Sequence, residues 1–208
     1  MHEVSLGGML TDYLSGEKIE ETTYEEFRQA LARMLVEDKG FPKDSLRAKV
    51  PLVFQIDGQD TGRHIDLVAY DRSDTSDTSG EPGESGRPLL LVIFCAGEVG
   101  SFERETVSCA RLFPGGPVPV AIATDSIGAS VLDTATGDPL SHAAGGATGV
   151  RAIPTWDEVR AIDAATPRVS LPEERRRKEE RILHAYNGFL YGTCCSESCR
   201  VPPKSGGK

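Results

Sequence analysis

A run of eight apolar residues, Leu89 to Ala96, constrains the fold of this chain more than any other stretch. Apolar and polar residues do not alternate in it, which is typical of a strand buried on both faces of a sheet. The run is too short for a free-standing helix and far too short to span a bilayer. We therefore expect a sheet with this strand at its centre and packed structure on both sides.

The periodicity of the flanking segments predicts a mixed central sheet flanked by helices, an α/β fold. The expected order is a helix, a three-strand meander, a crossover helix and two strands, followed by C-terminal helices. In the second strand, alternation places Ile65, Leu67 and Ala69 on one face and His64, Asp66 and Val68 on the other. The expected bounds are a helix from Thr22 or Thr23 to Gly40, strands over 46–56, 64–70, 89–96, 118–124 and 129–133, a helix over 102–113 capped by Ser101, a helix over 156–164 capped by Thr155, and a last helix over 172–191.

Composition shifts divide the chain into three parts. Residues 1–21 are expected to form an irregular N-terminal arm, with a short helical turn around Met9–Leu14. Residues 22–166 form the α/β domain, and residues 167–208 form a C-terminal helix and a Cys-containing tail. Residues 71–87 are polar and of low complexity, so we expect a mobile loop there.

The net charge and the N-terminal sequence limit the expected location and partners of the protein. We expect no signal peptide and no membrane span, so the default location is cytoplasmic. The net charge is −9, although residues 167–208 alone carry a balance of +4. An acidic body weighs against non-specific nucleic-acid binding, but a small basic patch can still act locally. The basic run at 175–178 is flanked by Glu at i,i+4 spacing, which favours a solvated helix over a phosphate-binding patch.

Six stretches carry a family resemblance by their order. They are Glu25–Arg28, Gly40–Pro42, Gly62–Asp71, Leu89–Ala96, Pro119–Thr124 and Val131–Thr134. This series resembles the PD-(D/E)XK nuclease superfamily and, within it, the N-terminal domain of type I restriction enzyme R subunits. The resemblance implies a restriction-endonuclease-like fold for the domain at 22–166.

The family's chemistry is metal-assisted phosphodiester hydrolysis. An Asp at the hairpin and a Glu on the central strand bind Mg²⁺, a Lys two residues after that Glu activates water, and a Glu on the first helix assists. The resemblance places Asp66 at the hairpin position and Glu25 (or Glu26) at the helix position. Phe94 stands where the strand Glu belongs and Ala96 where the Lys belongs. The implied catalytic site, Asp66 with Glu25, is therefore degenerate, since neither a benzyl nor a methyl group binds Mg²⁺.

Relocated ligands are the alternative to a degenerate site. Glu98, Glu103, Arg104 and Glu105 follow the central strand and are available as substitutes. The competing interpretation is that these residues form the solvated face of a helix. In the same way, Asp66 alone is compatible with a strand-end carboxylate, and His64 with a half-buried sheet residue.

A second possible site lies in the tail, where Cys194, Cys195 and Cys199 bring three thiols within six residues. Such a cluster in a cytosolic protein favours a soft metal, zinc or an iron–sulfur cluster, over disulfides. Zinc needs four ligands, so the fourth must be His184, Cys109 or a group from a second copy. Free thiols in a frayed tail are the alternative. Cys95 and Cys109 are expected to be inert core thiols.

Three functions follow from these features. The first is a nuclease-fold protein that has lost phosphodiesterase activity and serves in binding or assembly, with nucleic acid or a protein as its partner. The second is an active Mg²⁺-dependent DNA endonuclease with relocated ligands, and the third is a metal or iron–sulfur accessory protein. The sequence lacks the G-x-x-x-x-G-K-[ST] phosphate loop of a translocating motor.

Overall fold

The computed structural model describes residues 3–72, 86–95, 97–125, 127–140, 148–167 and 169–189. Most of the polar segment at 71–87, Ala96 and the three tail cysteines therefore lie outside the described residues. Among the helices that are described, none is long and apolar enough to cross a membrane.

The described chain forms seven strands and four α-helices in the predicted α/β arrangement. Five of the strands form one mixed sheet in the order β3-β4-β5-β6-β7. The elements are β1 (Ser5–Thr11), β2 (Lys18–Thr22), α1 (Thr23–Glu37), β3 (Leu46–Ile56), β4 (Gln59–Asp71), β5 (Arg87–Phe94), α2 (Glu103–Leu112), β6 (Val120–Thr124), β7 (Ala129–Asp133), α3 (Trp156–Ala165) and α4 (Glu173–Phe189).

The connections of this sheet are those that the sequence predicts. β3, β4 and β5 form an antiparallel meander, and α2 crosses over to β6, which lies parallel to β5. β7 then returns antiparallel to β6. β5 lies at the centre of the sheet, and Leu89 to Ile93 are fully buried, as an uninterrupted apolar strand requires. The fold is consistent with a restriction-endonuclease-like architecture.

Two apolar layers pack on the two faces of the sheet. The first core lies between the sheet and helices α1 and α3, where Leu31, Leu35 and Val159 meet Val92 of β5. The second core lies between the sheet and helices α2 and α4. It contains Val107, Leu112 and Leu183 from the helices, with Leu91 and Ile93 from β5. Each face of the central strand therefore has its own helical cover.

The N-terminal segment differs from its prediction. In place of an irregular arm with a helical turn around Met9–Leu14, β1 and β2 form an antiparallel hairpin. The pairing shifts between Ser5 and Met9, where Gly7 has φ +75°. This irregularity and the adjacent glycines hide the strand alternation in the sequence, which is why the hairpin was not predicted.

Two of the three predicted helix caps are confirmed. The Thr22 hydroxyl accepts a hydrogen bond from the Glu25 N–H at 3.1 Å, and Thr155 forms a capping box with Glu158 at the start of α3. Ser101 is not a cap, because residues 99–102 form a 3₁₀ turn that continues directly into α2. The N-cap residue of α2 is Phe102, which has no capping side chain.

The predicted alternation of side chains along β4 breaks at Asp66. Leu67 and Ala69 pack in the first core as expected, but Ile65 packs in the second core with Val68. The constant register of β3 and β4 places Lys49 opposite Asp66, and this pair is missing from the ladder. Lys49 has φ +53°, a left-handed backbone that a lysine rarely adopts, and the strand is locally distorted there.

Candidate functional site

Asp66 lies where the antiparallel pairing of β4 with β5 ends. That ladder runs from Asp71 to Leu67, and beyond it the Asp66 side chain, in place of a backbone carbonyl, bonds β5. Its Oδ2 accepts a hydrogen bond from the Phe94 N–H at 2.7 Å, and its Oδ1 accepts one from the Tyr24 hydroxyl at 2.7 Å. Asp66 is 7% exposed, so this buried carboxylate joins β4, β5 and α1.

Burial and hydrogen bonding act in opposite directions on Asp66. Burial raises the pKa of its carboxyl, while the Arg63 guanidinium, 4.0 Å away, and the two hydrogen bonds oppose that shift. Burial and the Asp66 charge also raise the pKa of the Tyr24 hydroxyl far above its usual value. Tyr24 therefore keeps its proton and remains a donor to Asp66.

Glu25 lies on the buried side of α1, whereas Glu26 is exposed. The Glu25 Oε1 lies 2.5 Å from the Lys49 Nζ, and the Oε2 accepts a hydrogen bond from the Arg28 Nε at 2.7 Å. Of the two helix glutamates that the sequence offers, Glu25 is therefore the one directed into the domain. Both of its oxygens contact cationic groups.

Arg28 connects this helix to the N-terminal hairpin. Its Nη2 binds the Asp12 carboxylate, which also accepts a hydrogen bond from Gln29 at 3.1 Å. Burial opposes ionisation of Asp12, but the hydrogen bonds from Arg28 and from the Ser15 N–H outweigh it and lower the pKa of Asp12 far below its usual range. The charges of Asp12, Glu25, Arg28 and Lys49 thus form one neutral chain of contacts.

Phe94 is an apolar packing residue. It is 8% exposed, and its ring centroid lies 4.5 Å from that of Phe27 and 5.5 Å from that of Tyr24. The position that the resemblance assigns to an acid is therefore filled by a ring in contact with α1. Ala96, at the lysine position, is outside the described residues.

A cavity of about 710 Å³ lies beside Glu25, under the N-terminal hairpin. Glu25, Arg28 and Lys49 line it, together with Asp12, but neither Asp66 nor Phe94 does. The two carboxylates that the resemblance pairs in one site therefore do not share this cavity.

Three of the four candidate substitute ligands after β5 bond other protein groups. Glu103 accepts a hydrogen bond from Ser130, and Arg104 bonds Glu179 at 2.6 Å. Glu105 is fully buried and pairs with Arg63. Glu98 is exposed at the turn. The interpretation as a solvated helix face is wrong for Glu105, which is buried, and Glu98 is exposed but precedes the 3₁₀ turn. The local sequence gives no signal of the burial of Glu105.

The cysteines fall into two groups, of which the structure describes one. Cys95 and Cys109 are buried, and burial raises the pKa of Cys95 to about 12 and that of Cys109 further still. Both therefore stay protonated at neutral pH, as expected of core thiols. His184 is exposed on α4. Cys194, Cys195 and Cys199 lie outside the described residues, so a metal held by this tail stays a prediction.

Sequence reasoning missed five residues of this region: Asp12, Tyr24, Arg28, Lys49 and Arg63. Tyr24 and Arg28 lie four residues apart on α1, so helical spacing alone indicates that they share a face. Lys49 gives no such signal, because its left-handed backbone shows only in the fold.

The mixed sheet, its crossover helix and the buried carboxylates on α1 and β4 define a protein with a restriction-endonuclease-like architecture. The family model for the type I restriction enzyme R protein N terminus matches residues 23–145, more than half of the chain. The chain therefore belongs to this family, and the match extends from α1 through β7. No curated protein and no solved structure matches the chain.

Proposed function

We propose that this chain is a PD-(D/E)XK nuclease-fold protein that has lost phosphodiesterase activity and serves in binding or assembly. The observation that best supports the proposal is the hydrogen bonding of the Asp66 carboxylate. Both of its oxygens accept hydrogen bonds from protein donors, one of them the N–H of Phe94, which itself replaces the acid of the central strand.

The residues present do not suit a divalent cation. Mg²⁺ requires several oxygen ligands in near-octahedral geometry, usually including one or two carboxylates. Here Asp66 is bonded on both oxygens, Glu25 is neutralised by Arg28 and Lys49, and the third position is the Phe94 ring. Within the described ranges, no three His, Cys, Asp or Glu side chains lie together in a way that could hold a metal ion.

A second candidate is an active Mg²⁺-dependent endonuclease with a relocated amine. Lys49 favours it, because its ammonium lies 2.5 Å from Glu25 and its φ of +53° is a strained backbone of the kind found at functional sites. In that case Asp66 and Glu25 would hold the metal, and Lys49 would supply the positive charge that the central strand lacks.

Cleavage of supercoiled plasmid separates the two candidates. The wild-type chain, Asp66→Asn and Lys49→Met are incubated with Mg²⁺ or Mn²⁺, with Asp60→Asn as the control for an exposed aspartate on the same strand. We expect no nicking by the wild type beyond that by Asp66→Asn. Nicking that Asp66→Asn and Lys49→Met abolish and Asp60→Asn retains would establish the active endonuclease instead.

The partner in a binding role is a nucleic acid or a protein, in the cytoplasm. The net charge of −9 favours a protein, since long-range attraction to phosphate is weak for an acidic chain. A titration with duplex DNA at several salt concentrations tests this choice. Affinity that falls steeply with salt indicates contacts to phosphates, whereas binding that is absent at low salt removes nucleic acid as the partner.

A further inference from the structure

A second cavity, of about 290 Å³, lies on the opposite side of the sheet from Asp66. It is lined by the loop after α2, by the turn after β7 and by residues 166–167 and 169–172 before α4. Four prolines, Val118 and Leu171 form apolar walls, and the charged groups among its described lining residues are Arg111 and Arg175. The described lining contains no carboxylate.

The two arginines belong to a cluster with more cations than anions. Glu179 is fully buried and bonds three guanidinium groups, at 2.6 Å to Arg104, 3.1 Å to Arg111 and 3.0 Å to Arg175. One carboxylate cannot neutralise three guanidinium charges. Burial lowers the pKa of Arg111, and Arg175 and Arg104 lower it further while Glu179 opposes them. The region therefore retains positive charge.

Arg111 and Arg175 also have donors to spare. Arg111 is 7% exposed and uses three N–H groups, on the carbonyls of Thr134 and Ala135 and on Glu179. A guanidinium has five N–H donors, so two of them have no partner among the described residues. Arg175 bonds Glu179 through its Nε, which leaves its four other N–H donors without a bond to the described residues.

Thr134 borders the cavity with a buried side chain. It is 2% exposed, and its Oγ1 has no hydrogen-bond partner in the described part of the chain. Because that oxygen has almost no accessible surface, the feature of the cavity that points to a ligand is the positive charge of Arg111 and Arg175 and not the Thr134 hydroxyl.

We propose that this cavity binds a small monocarboxylate with an apolar body, whose carboxylate lies at Arg111 and Arg175 and whose body contacts the proline-lined walls. Guanidinium groups bind carboxylates in bidentate geometry, and an apolar pocket with a few convergent polar groups is the usual form of a small-molecule site. The volume equals that of about ten water molecules at roughly 30 Å³ each, which suits a ligand of about ten non-hydrogen atoms. The site does not depend on the function of Asp66.

Calorimetric titration with phenylacetate, which has ten non-hydrogen atoms, tests the proposal, with its neutral amide, phenylacetamide, as the matched probe. We expect saturable binding of phenylacetate with a Kd on the order of 0.1–1 mM, which is ordinary for a ligand of this size. Phenylacetamide should bind at least about tenfold more weakly, because it lacks the charge. Equal binding of the two probes, or no saturation by phenylacetate at about 10 mM, overturns the proposal.

Arg175→Gln and Arg176→Gln form a matched pair of variants. Both arginines are exposed residues of α4 that pair with a glutamate four residues on, but only Arg175 lines the cavity. We expect Arg175→Gln to weaken phenylacetate binding about tenfold and Arg176→Gln to leave it unchanged. Amide NMR shifts should concentrate at Val118 and Ala135. Equal affinities of the two variants, or shifts elsewhere on the sheet, contradict the assignment.

Discussion

The two faces of the sheet each contain buried carboxylates, but only one face has a family role assigned to it. On the α1 face, Asp66 bonds the Phe94 N–H and the Tyr24 hydroxyl. On the α2 face, Glu179 bonds Arg104, Arg111 and Ser108 and so joins α4 to α2. In both cases a carboxylate links elements that are distant in sequence.

The hydrogen bonds of Glu179 provide a reference for those of Asp66. Glu179 lies outside the region that the family model matches, so nothing suggests a catalytic role for it. It accepts four hydrogen bonds at 2.6–3.1 Å, whereas Asp66 accepts two at 2.7 Å, but both carboxylates join elements that are distant in sequence. The faces differ in charge, because the nearest guanidinium lies 4.0 Å from Asp66, whereas Glu179 bonds three of them directly. We infer that Asp66 is a structural carboxylate held mainly by neutral donors.

Glu179→Leu should have the largest effect on stability. Among the described residues, it removes the carboxylate that bonds Arg104, Arg111 and Arg175, and it leaves the buried charge of Arg111 uncompensated. We expect a loss of about 3–5 kcal/mol in the free energy of unfolding, measured with urea. Glu180→Leu, which breaks the partly exposed pair with Arg176, should lose less than about 1 kcal/mol. Similar losses in the two variants would show that α4 is not held by Glu179.

Asp66→Ala should follow in size. It leaves the Phe94 N–H and the Tyr24 hydroxyl without their acceptor, and each such buried donor costs about 1–3 kcal/mol. We expect a total loss of about 2–4 kcal/mol in the free energy of unfolding. Asp60→Ala, at an exposed position of β4, should change stability by less than about 0.5 kcal/mol. An unchanged or increased stability of Asp66→Ala would contradict the structural role, since carboxylates of functional sites are often unfavourable for stability.

Tyr24→Phe isolates one of the two hydrogen bonds to Asp66. The ring contact with Phe94 is retained, and only the hydroxyl donor is removed. We expect a loss of about 1.5–3 kcal/mol in the unfolding free energy, the usual value for a hydrogen bond to a charged group. In the background of Asp66→Ala the same change should have little effect, and a full loss there would show that the two groups are not coupled.

The pH dependence of stability should have opposite signs on the two faces. Burial opposes ionisation of Glu179, but hydrogen bonds from Ser108 and Arg104 outweigh it and lower its pKa, so its contribution is present above pH 4.5 and is lost as pH falls through the lowered pKa. Burial raises the pKa of Asp66 above 3.8, so its contribution is complete below pH 3.8 and is lost as pH rises through the raised pKa.

Urea unfolding between about pH 3 and pH 7 measures both pH dependences, because this range covers the pKa values of most carboxyl groups. Relative to the wild type, Glu179→Gln should lose least at the acid end of this range. Asp66→Asn should lose least at the neutral end. The same trend for both variants would contradict the charge difference between the two faces.

The strands of the five-stranded sheet were predictable from the sequence, because the pattern that indicates each of them lies within a few neighbouring residues. The apolar run of β5 and the alternation of β3 give the observed strands, and Thr155 gives the start of α3. The hairpin of β1 and β2 was not predictable, because the shift in its pairing between Ser5 and Met9 removes the alternation on which such a prediction rests.

The partners of the charged groups were predictable only within one helix. The i,i+4 pairs of the basic run are present at Arg175, Arg176 and Arg177, as their spacing indicates. That Glu179 also binds α2, and that Asp66 binds a hydroxyl 42 residues away on α1, depends on how the helices pack. Local sequence contains no information on such contacts.

The effect of Mg²⁺ on stability tests the structural role of Asp66 most directly. A ligand that binds only the folded state raises the free energy of unfolding by about 2.7 kcal/mol at one hundred times its Kd. The urea midpoints of the wild type and Asp66→Asn are compared with and without Mg²⁺ and Mn²⁺ at matched ionic strength. We expect the same small change in both proteins. Stabilisation of the wild type by the metal that Asp66→Asn abolishes would contradict the account, because Asp66 would then be a metal ligand.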